Sequence, residues 1–142
     1  MVPNGYGSPR RPSNGFDYNR AAMLLAVLEK RGGLKVSVCD AYLNIIGGLY
    51  LDEPSADLAA MVAIASSYLD KPVPQDLLAI GEVGLTGEIR AVSHLNQRLG
   101  EAARLGFKKC ILPRSGSEKL YIPTGMTVYR VRNLREAIET AL

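Results

Sequence analysis

Ser55 occupies the position in this 142-residue chain that most invites chemistry. It follows Asp52-Glu53-Pro54 and precedes Ala56-Asp57, just after a β-rich stretch and at the start of a helical one. Backbone N–H groups and the helix dipole at such a start favour an anion or a developing oxyanion, so a serine there is a candidate nucleophile. Helix starts also prefer serine as an N-cap, so Ser55 as a plain cap is the competing structural reading. Partners for a nucleophile are few. His94 is the only histidine, so neither a Ser-His-Asp triad nor a two-histidine metal site can be built within one chain. It is expected at a helix start. Cys39 and Cys110 lack metal-ligand spacing and any secretory context, and read as reduced structural thiols.

The other chemistry on offer is recognition of a polyanion. The net charge is only +3, so placement matters more than the sum. Arg10, Arg11 and Arg20 precede any strong acidic cluster, with Lys30, Arg31 and Lys35 soon after. A second group holds Arg98, Arg104, Lys108, Lys109, Arg114 and Lys119, while Asp52, Glu53, Asp57, Glu82 and Glu88 crowd the middle. Such segregation would give the basic face that nucleic-acid binding needs. Solvated charge at helix ends is the plainer alternative. No recognition-helix, zinc or RNA-binding aromatic motif is visible, and the tyrosines are scattered (Tyr6, Tyr18, Tyr42, Tyr50, Tyr68, Tyr121, Tyr129). Any contact with nucleic acid is therefore expected at phosphates, without base readout.

The elements that would position these groups alternate between helix and strand. Asp17 opens a helix with Ala21, Leu24, Leu25 and Leu28 at helical spacing, and Gly32-Gly33 stops it behind Lys30 and Arg31. Ala41 to Leu51 is β-rich and broken by Gly47-Gly48. Pro54 sets up a helix over about Ser55 to Leu69, with Leu58, Met61, Val62 and Ala65 inward. Leu77 to Val83 reads as a strand, and Gly84 to Gly87 as a turn into Glu88 to Val92. Ser93 is the expected cap of a helix to about Leu105, ended by Gly106. Strands follow at Lys109 to Leu112 and Thr127 to Val131. Asn133 with Glu136 forms a capping-box-like start to a terminal helix. The class is α/β or α+β.

Hydrophobic content of 47% with 22% charged residues is ordinary for a soluble globular domain of this length. No apolar run approaches the roughly 18 residues of a membrane span. The opening residues lack the apolar centre of a signal peptide, so a cytoplasmic location without membrane contact is expected. Residues 1–16, rich in Gly, Pro, Ser and Asn, read as a linker to something upstream. Residues 17–142 form the domain proper.

Pro54-Ser55-Ala56-Asp57, then Gly81-Glu82-Val83-Gly84-Leu85-Thr86-Gly87-Glu88-Ile89-Arg90 and Ala91-Val92-Ser93-His94-Leu95-Asn96-Gln97-Arg98, together resemble the proteolytic domain of the Lon family. That family reads Gly-Pro-Ser-Ala-Gly, Gly-Glu-Ile-Thr-Leu-x-Gly-x-Val and Gly-Gly-Leu-Lys-x-Lys, with the serine as nucleophile and the last lysine as its base. Laid on this chain without gaps, the serine falls on Ser55 and that lysine on Arg98. The first lysine falls on Asn96, and the two glycines before it on Ser93 and His94. The resemblance implies a two-layer α/β architecture related to the second domain of ribosomal protein S5. It also implies an inactive site. A serine–lysine dyad needs an amine that can be neutral near pH 7, and a guanidinium stays protonated. Asp57 and Glu53 replace the glycines flanking the family motif and bring negative charge to where an oxyanion would form. Arg98 is expected to pair with Glu53 or Asp57.

Ser8-Pro9-Arg10-Arg11, Gly15-Phe16-Asp17-Tyr18-Asn19-Arg20, Leu24 to Arg31, Ala65-Ser66-Ser67, Asp70-Lys71-Pro72 and Glu101 to Phe107 narrow the resemblance. Together they are similar to the C-terminal domain of the RadA (Sms) family of bacterial recombination and DNA-repair proteins. The resemblance implies a parent that is a hexameric, ATP-driven DNA motor promoting branch migration beside the recombinase machinery. The chain has no Gly-x-x-x-x-Gly-Lys-Ser/Thr, and the resemblance implies that ATP and magnesium are expected at an ATPase domain, and zinc at a zinc finger, of the parent. The domain itself needs no cofactor. Its implied role is a ring-forming scaffold that contacts DNA through Arg10, Arg11 and Arg20 first, and Lys108, Lys109, Arg114 and Lys119 second. Arg20 has another option, pairing with Asp17 or with an acid across a subunit interface. A pure assembly module is one alternative; a residual serine peptidase using a non-standard lysine is another.

Overall fold

The computed structural model describes residues 1–3, 7–46 and 52–142. In chain order these form β1 (Val2–Pro3), β2 (Ser13–Asn14), α1 (Tyr18–Gly32), β3 (Cys39–Asp40), β4 (Leu43–Asn44), α2 (Asp57–Leu69), β5 (Leu77–Ala79), β6 (Glu82–Val83), β7 (Ile89–Arg90), α3 (Leu95–Arg104), β8 (Lys109–Pro113), β9 (Thr127–Val131) and α4 (Leu134–Ala141). Short 3-10 turns at Val36–Val38 and Pro54–Ala56 precede β3 and α2.

The organising element is a parallel three-stranded sheet in the order β5-β8-β9, with Leu78 opposite Cys110 and Ile111 opposite Tyr129. Side chains alternate across a strand, and β8 shows the consequence. Ile111 is buried with Leu24, Leu28, Leu58, Met61 and Leu134 of α1, α2 and α4. Its neighbours Cys110 and Leu112 are buried in a separate cluster with Leu95 and Leu99 of α3. Helices therefore cover both faces of the sheet, as a parallel sheet requires. Burial of Cys110 pushes its thiol up to about 12, leaving it an inert core residue. Cys39 is also free and buried.

Helix boundaries follow their local chemistry. Asp17 caps α1 by accepting from the Arg20 backbone N–H, and Gly33 ends it in the left-handed region at φ 76°. Asn133 Oδ1 accepts from the Glu136 N–H at 2.9 Å, and the Glu136 carboxylate accepts from the Arg132 N–H at 2.8 Å. The start of α3 differs from the expectation. Its cap position is His94, not Ser93, and makes no side-chain cap. The carboxylate of Glu118 performs that job from a distant loop, accepting from the N–H groups of Leu95 (2.9 Å) and Asn96 (3.3 Å). Asn96 returns the contact through Lys119 O and the Tyr121 N–H.

The expected strand over residues 77–83 is split into β5 and β6 around Gly81. Gly81 accepts from the Leu58 N–H at 3.0 Å and donates to Ser55 O at 2.9 Å, so the first turn of α2 takes the place of a sheet partner. A Cβ at Gly81 would stand 2.7 Å from Ile89 Cγ2, which explains a glycine at this junction. Of the β-rich stretch 41–51, β4 is the part assigned as strand among the described residues. Gly47 to Leu51 lie outside them. The described part of segment 1–16 runs along the domain: β1 pairs with β3, β2 pairs with β4, and Phe16 is buried in the core.

Candidate functional site

Ser55 sits in the 3-10 turn ahead of α2, and its placement is set by backbone. Pro54 starts the turn, the Glu53 carboxylate accepts from the Ser55 N–H at 3.2 Å, and Ser55 O is tied to Gly81. Ser55 is thus not the cap of α2. Its side chain is buried and its Oγ accepts a hydrogen bond from Arg98 Nη1 at 3.1 Å. Arg98, one turn into α3, is oriented by a second bond from its Nε to Ser93 O at 2.9 Å. Glu53 completes the group. Hydrogen bonds from the Ser55 hydroxyl and backbone N–H, with the nearby Arg98 charge, hold its carboxyl below the usual range.

The hydroxyl therefore faces a cation that donates to it, while the Glu53 carboxylate holds the backbone N–H of the same residue. A guanidinium offers only donors and keeps its charge at any ordinary pH, so it cannot take the Ser55 proton. Glu53, with its affinity for protons lowered, is a poor base. Lys71 lies beyond the far end of α2, about 20 Å away for a 13-residue helix. The geometry supports hydrogen bonding by Ser55, whose Oγ receives the Arg98 guanidinium.

The expected pairing of Arg98 with Glu53 or Asp57 is corrected by this arrangement. Arg98 binds Ser55 and Ser93, and acts on Glu53 only through its charge. Asp57 belongs to Arg20. Fully buried, it takes the Arg20 Nε on Oδ1 at 2.6 Å, and Arg20 Nη2 and the Val83 N–H (3.2 Å) on Oδ2. Its charge is consequently neutralised inside the fold and is not directed at Ser55. The bond to Asp57 also raises the affinity of the Arg20 guanidinium for its proton. Asp17, the expected intrachain partner of Arg20, takes only its backbone N–H. Nothing local signals the Arg20–Asp57 pair, since 37 positions separate its members.

Beyond the Ser55–Arg98 pair opens a cleft of about 670 Å³ between α2, β5 and α3, walled by Ala56, Ala59, Leu78, Ile80, Ala102 and Phe107.

The expected DNA-contact residues do not converge. The Arg11 guanidinium clamps main chain, donating to the carbonyls of Arg10, Val36 and Cys39. Arg10 is exposed, its backbone N–H held by Asp40 Oδ1 at 2.6 Å. Lys108 and Lys109 stand where β8 begins, and Arg114 just past its other end, roughly 20 Å of strand from Lys108. Lys119 is exposed beside the start of α3, its Nζ 5.7 Å from the Tyr121 ring centre. No described helix is long and apolar enough to cross a membrane.

Residues 45–142 match the family model of the Lon protease (S16) C-terminal proteolytic domain. Over its full length the chain is 49% identical to the DNA repair protein RadA of Bacillus subtilis and 46% identical to that of Listeria monocytogenes. It is 45% identical to the DNA repair protein RadA of Streptococcus pneumoniae over 98% of its length. The chain spans about a third of each relative (31%, 31% and 33%) and corresponds to their C-terminal region.

Proposed function

Because this chain belongs to the family of Lon protease (S16) C-terminal proteolytic domains, we propose that it is a non-proteolytic Lon-type module of a RadA-type DNA-repair protein, serving as a ring-forming scaffold that also touches DNA. The observation that carries this reading is the 3.1 Å bond from Arg98 Nη1 to Ser55 Oγ, which puts a permanent donor where a serine peptidase needs a base. A fold kept without its chemistry still offers its surfaces. Head-to-tail packing of identical copies closes into a ring when the rotation allows, and a hexamer is the state proposed here. ATP hydrolysis and branch migration are proposed for the parent protein, driven from outside this chain.

DNA contact is proposed at phosphates. Arg10, Lys108, Lys109, Arg114 and Lys119 keep side chains at or near the surface, whereas Arg11 and Arg20 serve the fold. Six copies of a modest basic surface around one polyanion would gain by avidity what each lacks in affinity. The separation of the candidate cations along β8 favours a second reading, an assembly module without DNA contact. Fluorescence anisotropy of a labelled duplex, titrated with the chain at two salt concentrations, separates the two. Binding that weakens steeply with salt is expected. Absence of binding at low salt would remove DNA contact and leave the scaffold.

A further inference from the structure

Two small clefts lie on either side of the isolated antiparallel bridge between Glu88 and Asn133. One, of about 210 Å³, is lined by Arg31 and Arg135 beside Thr86, Gly87 and Asn133. The other, of about 360 Å³, is lined by Arg90, Arg114 and Arg132 beside Ser115. Five arginines from four separate parts of the chain thus meet at one seam. Among the described residues, Glu88 is the only acid lining either cleft. It pairs with Arg90 at 3.1 Å, and Arg90 also reaches Glu82 at 3.7 Å. Arg31, Arg114, Arg132 and Arg135 are exposed and have no carboxylate within ion-pair distance among the described residues.

The placement is rigid. The Leu134 N–H donates to Gly87 O (2.8 Å), the Ile89 N–H to Arg132 O (2.9 Å) and the Arg114 N–H to Val131 O (2.8 Å), so the segments bearing four of the arginines are bonded to one another. The fifth packs its stem on Gly87, where a Cβ would stand 2.8 Å from Arg31 Cβ and where φ is +83°. A side chain at position 87 would displace Arg31. Four unneutralised guanidiniums carried on these segments along one seam form a concentrated positive surface, and guanidinium geometry suits phosphate oxygens.

We infer that this arginine seam is the phosphate track of the domain, holding consecutive phosphates of a DNA backbone across the Glu88–Asn133 bridge. The inference rests on the DNA-contact reading and moves its centre from Lys108 and Lys109 to Arg31, Arg114, Arg132 and Arg135. A track of this kind reads no sequence, because every contact is to phosphate.

The test is anisotropy of a labelled duplex of arbitrary sequence with the 142-residue chain, repeated across a salt series. The variants are Arg114→Gln/Arg132→Gln, Arg31→Gln/Arg135→Gln and Lys108→Gln/Lys109→Gln, with Lys71→Gln as control and thermal unfolding as the check on folding. Each arginine pair should weaken binding about tenfold or more at low salt and make the log–log salt slope shallower by about 2, near 0.9 per phosphate lost. The lysine pair should do less. Equal binding by wild type and both arginine variants would overturn the track while leaving DNA contact standing. No binding by the wild type would overturn both. Inorganic tripolyphosphate is the competitor that separates a discrete phosphate pocket from a track: displacement of DNA at equal phosphate concentration would overturn the track.

Discussion

Replacing Arg20 with methionine should destabilise the fold far more than loss of a surface arginine. Asp57 is fully buried and has three donors, of which two belong to Arg20. In Arg20→Met the carboxylate stays buried with one backbone N–H. Breaking a buried ion pair by removing one partner costs about 3–5 kcal/mol, because the remaining charge has lost its compensation. The Arg20 side chain is 29% exposed, so water reaches part of the vacated space and the lower end, about 3 kcal/mol, applies. For a domain of this size that lowers Tm by about 10 °C. The assay is thermal unfolding by circular dichroism at pH 7 in 0.5 M NaCl, where a surface pair would be screened and this one is not. Adding Asp57→Asn to Arg20→Met should recover more than half of the loss, since no buried charge remains. A fall below about 3 °C for Arg20→Met, or no recovery in the double variant, would refute the reasoning and make the pair an ordinary surface contact.

Glu118→Ala should cost about 1 kcal/mol, visible as a fall of about 3 °C in Tm, because the start of α3 loses the carboxylate that receives the Leu95 and Asn96 N–H groups. The Glu88 carboxyl is lowered to about 2, chiefly by the Thr86 hydroxyl, with the local backbone and Arg90 adding to it. A carboxyl lowered in the folded state contributes stability above its unfolded value near 4.3 and loses it as pH falls from there toward 2. The Tm difference between wild type and Glu88→Gln should therefore be present at pH 7 and vanish by about pH 2, measured by scanning calorimetry.

What could be read from the sequence is what depends on neighbours a few positions apart. The cap at Asp17, the stop at Gly33 and the Asn133–Glu136 start of α4 are patterns of that range, and each holds in the structure. The apolar periodicity of α1 and α2 likewise marked Leu24, Leu28, Leu58 and Met61 as core. Ser55 and Arg98 could be brought together only through the family resemblance, because 43 positions separate them. Contacts that the resemblance does not specify differ from what neighbours in sequence suggest. Acids stand next to Ser55 in sequence and suggest a partner for Arg98, yet the Asp57 carboxylate is held by Arg20. Ser93 looked like a cap because serine favours that role, but Glu118 reaches back to Leu95 from 23 positions downstream. The arginine seam was illegible for the same reason. Its members lie singly or in pairs at 31, 90, 114, 132 and 135, and backbone pairing among the Gly87–Arg90, Arg114 and Val131–Arg135 segments, with the Arg31 stem packed on Gly87, makes them neighbours.

The central claim, that Ser55 is held by Arg98 and has no base, is tested most directly by labelling with a fluorophosphonate, which adds to activated serines. Intact-mass measurement of the wild-type chain after prolonged exposure at pH 8 should show no more adduct than the Ser55→Ala variant. A single adduct that maps to Ser55 and is lost in Ser55→Ala would mean that the hydroxyl is activated after all, and would contradict the non-proteolytic reading of this Lon-type domain.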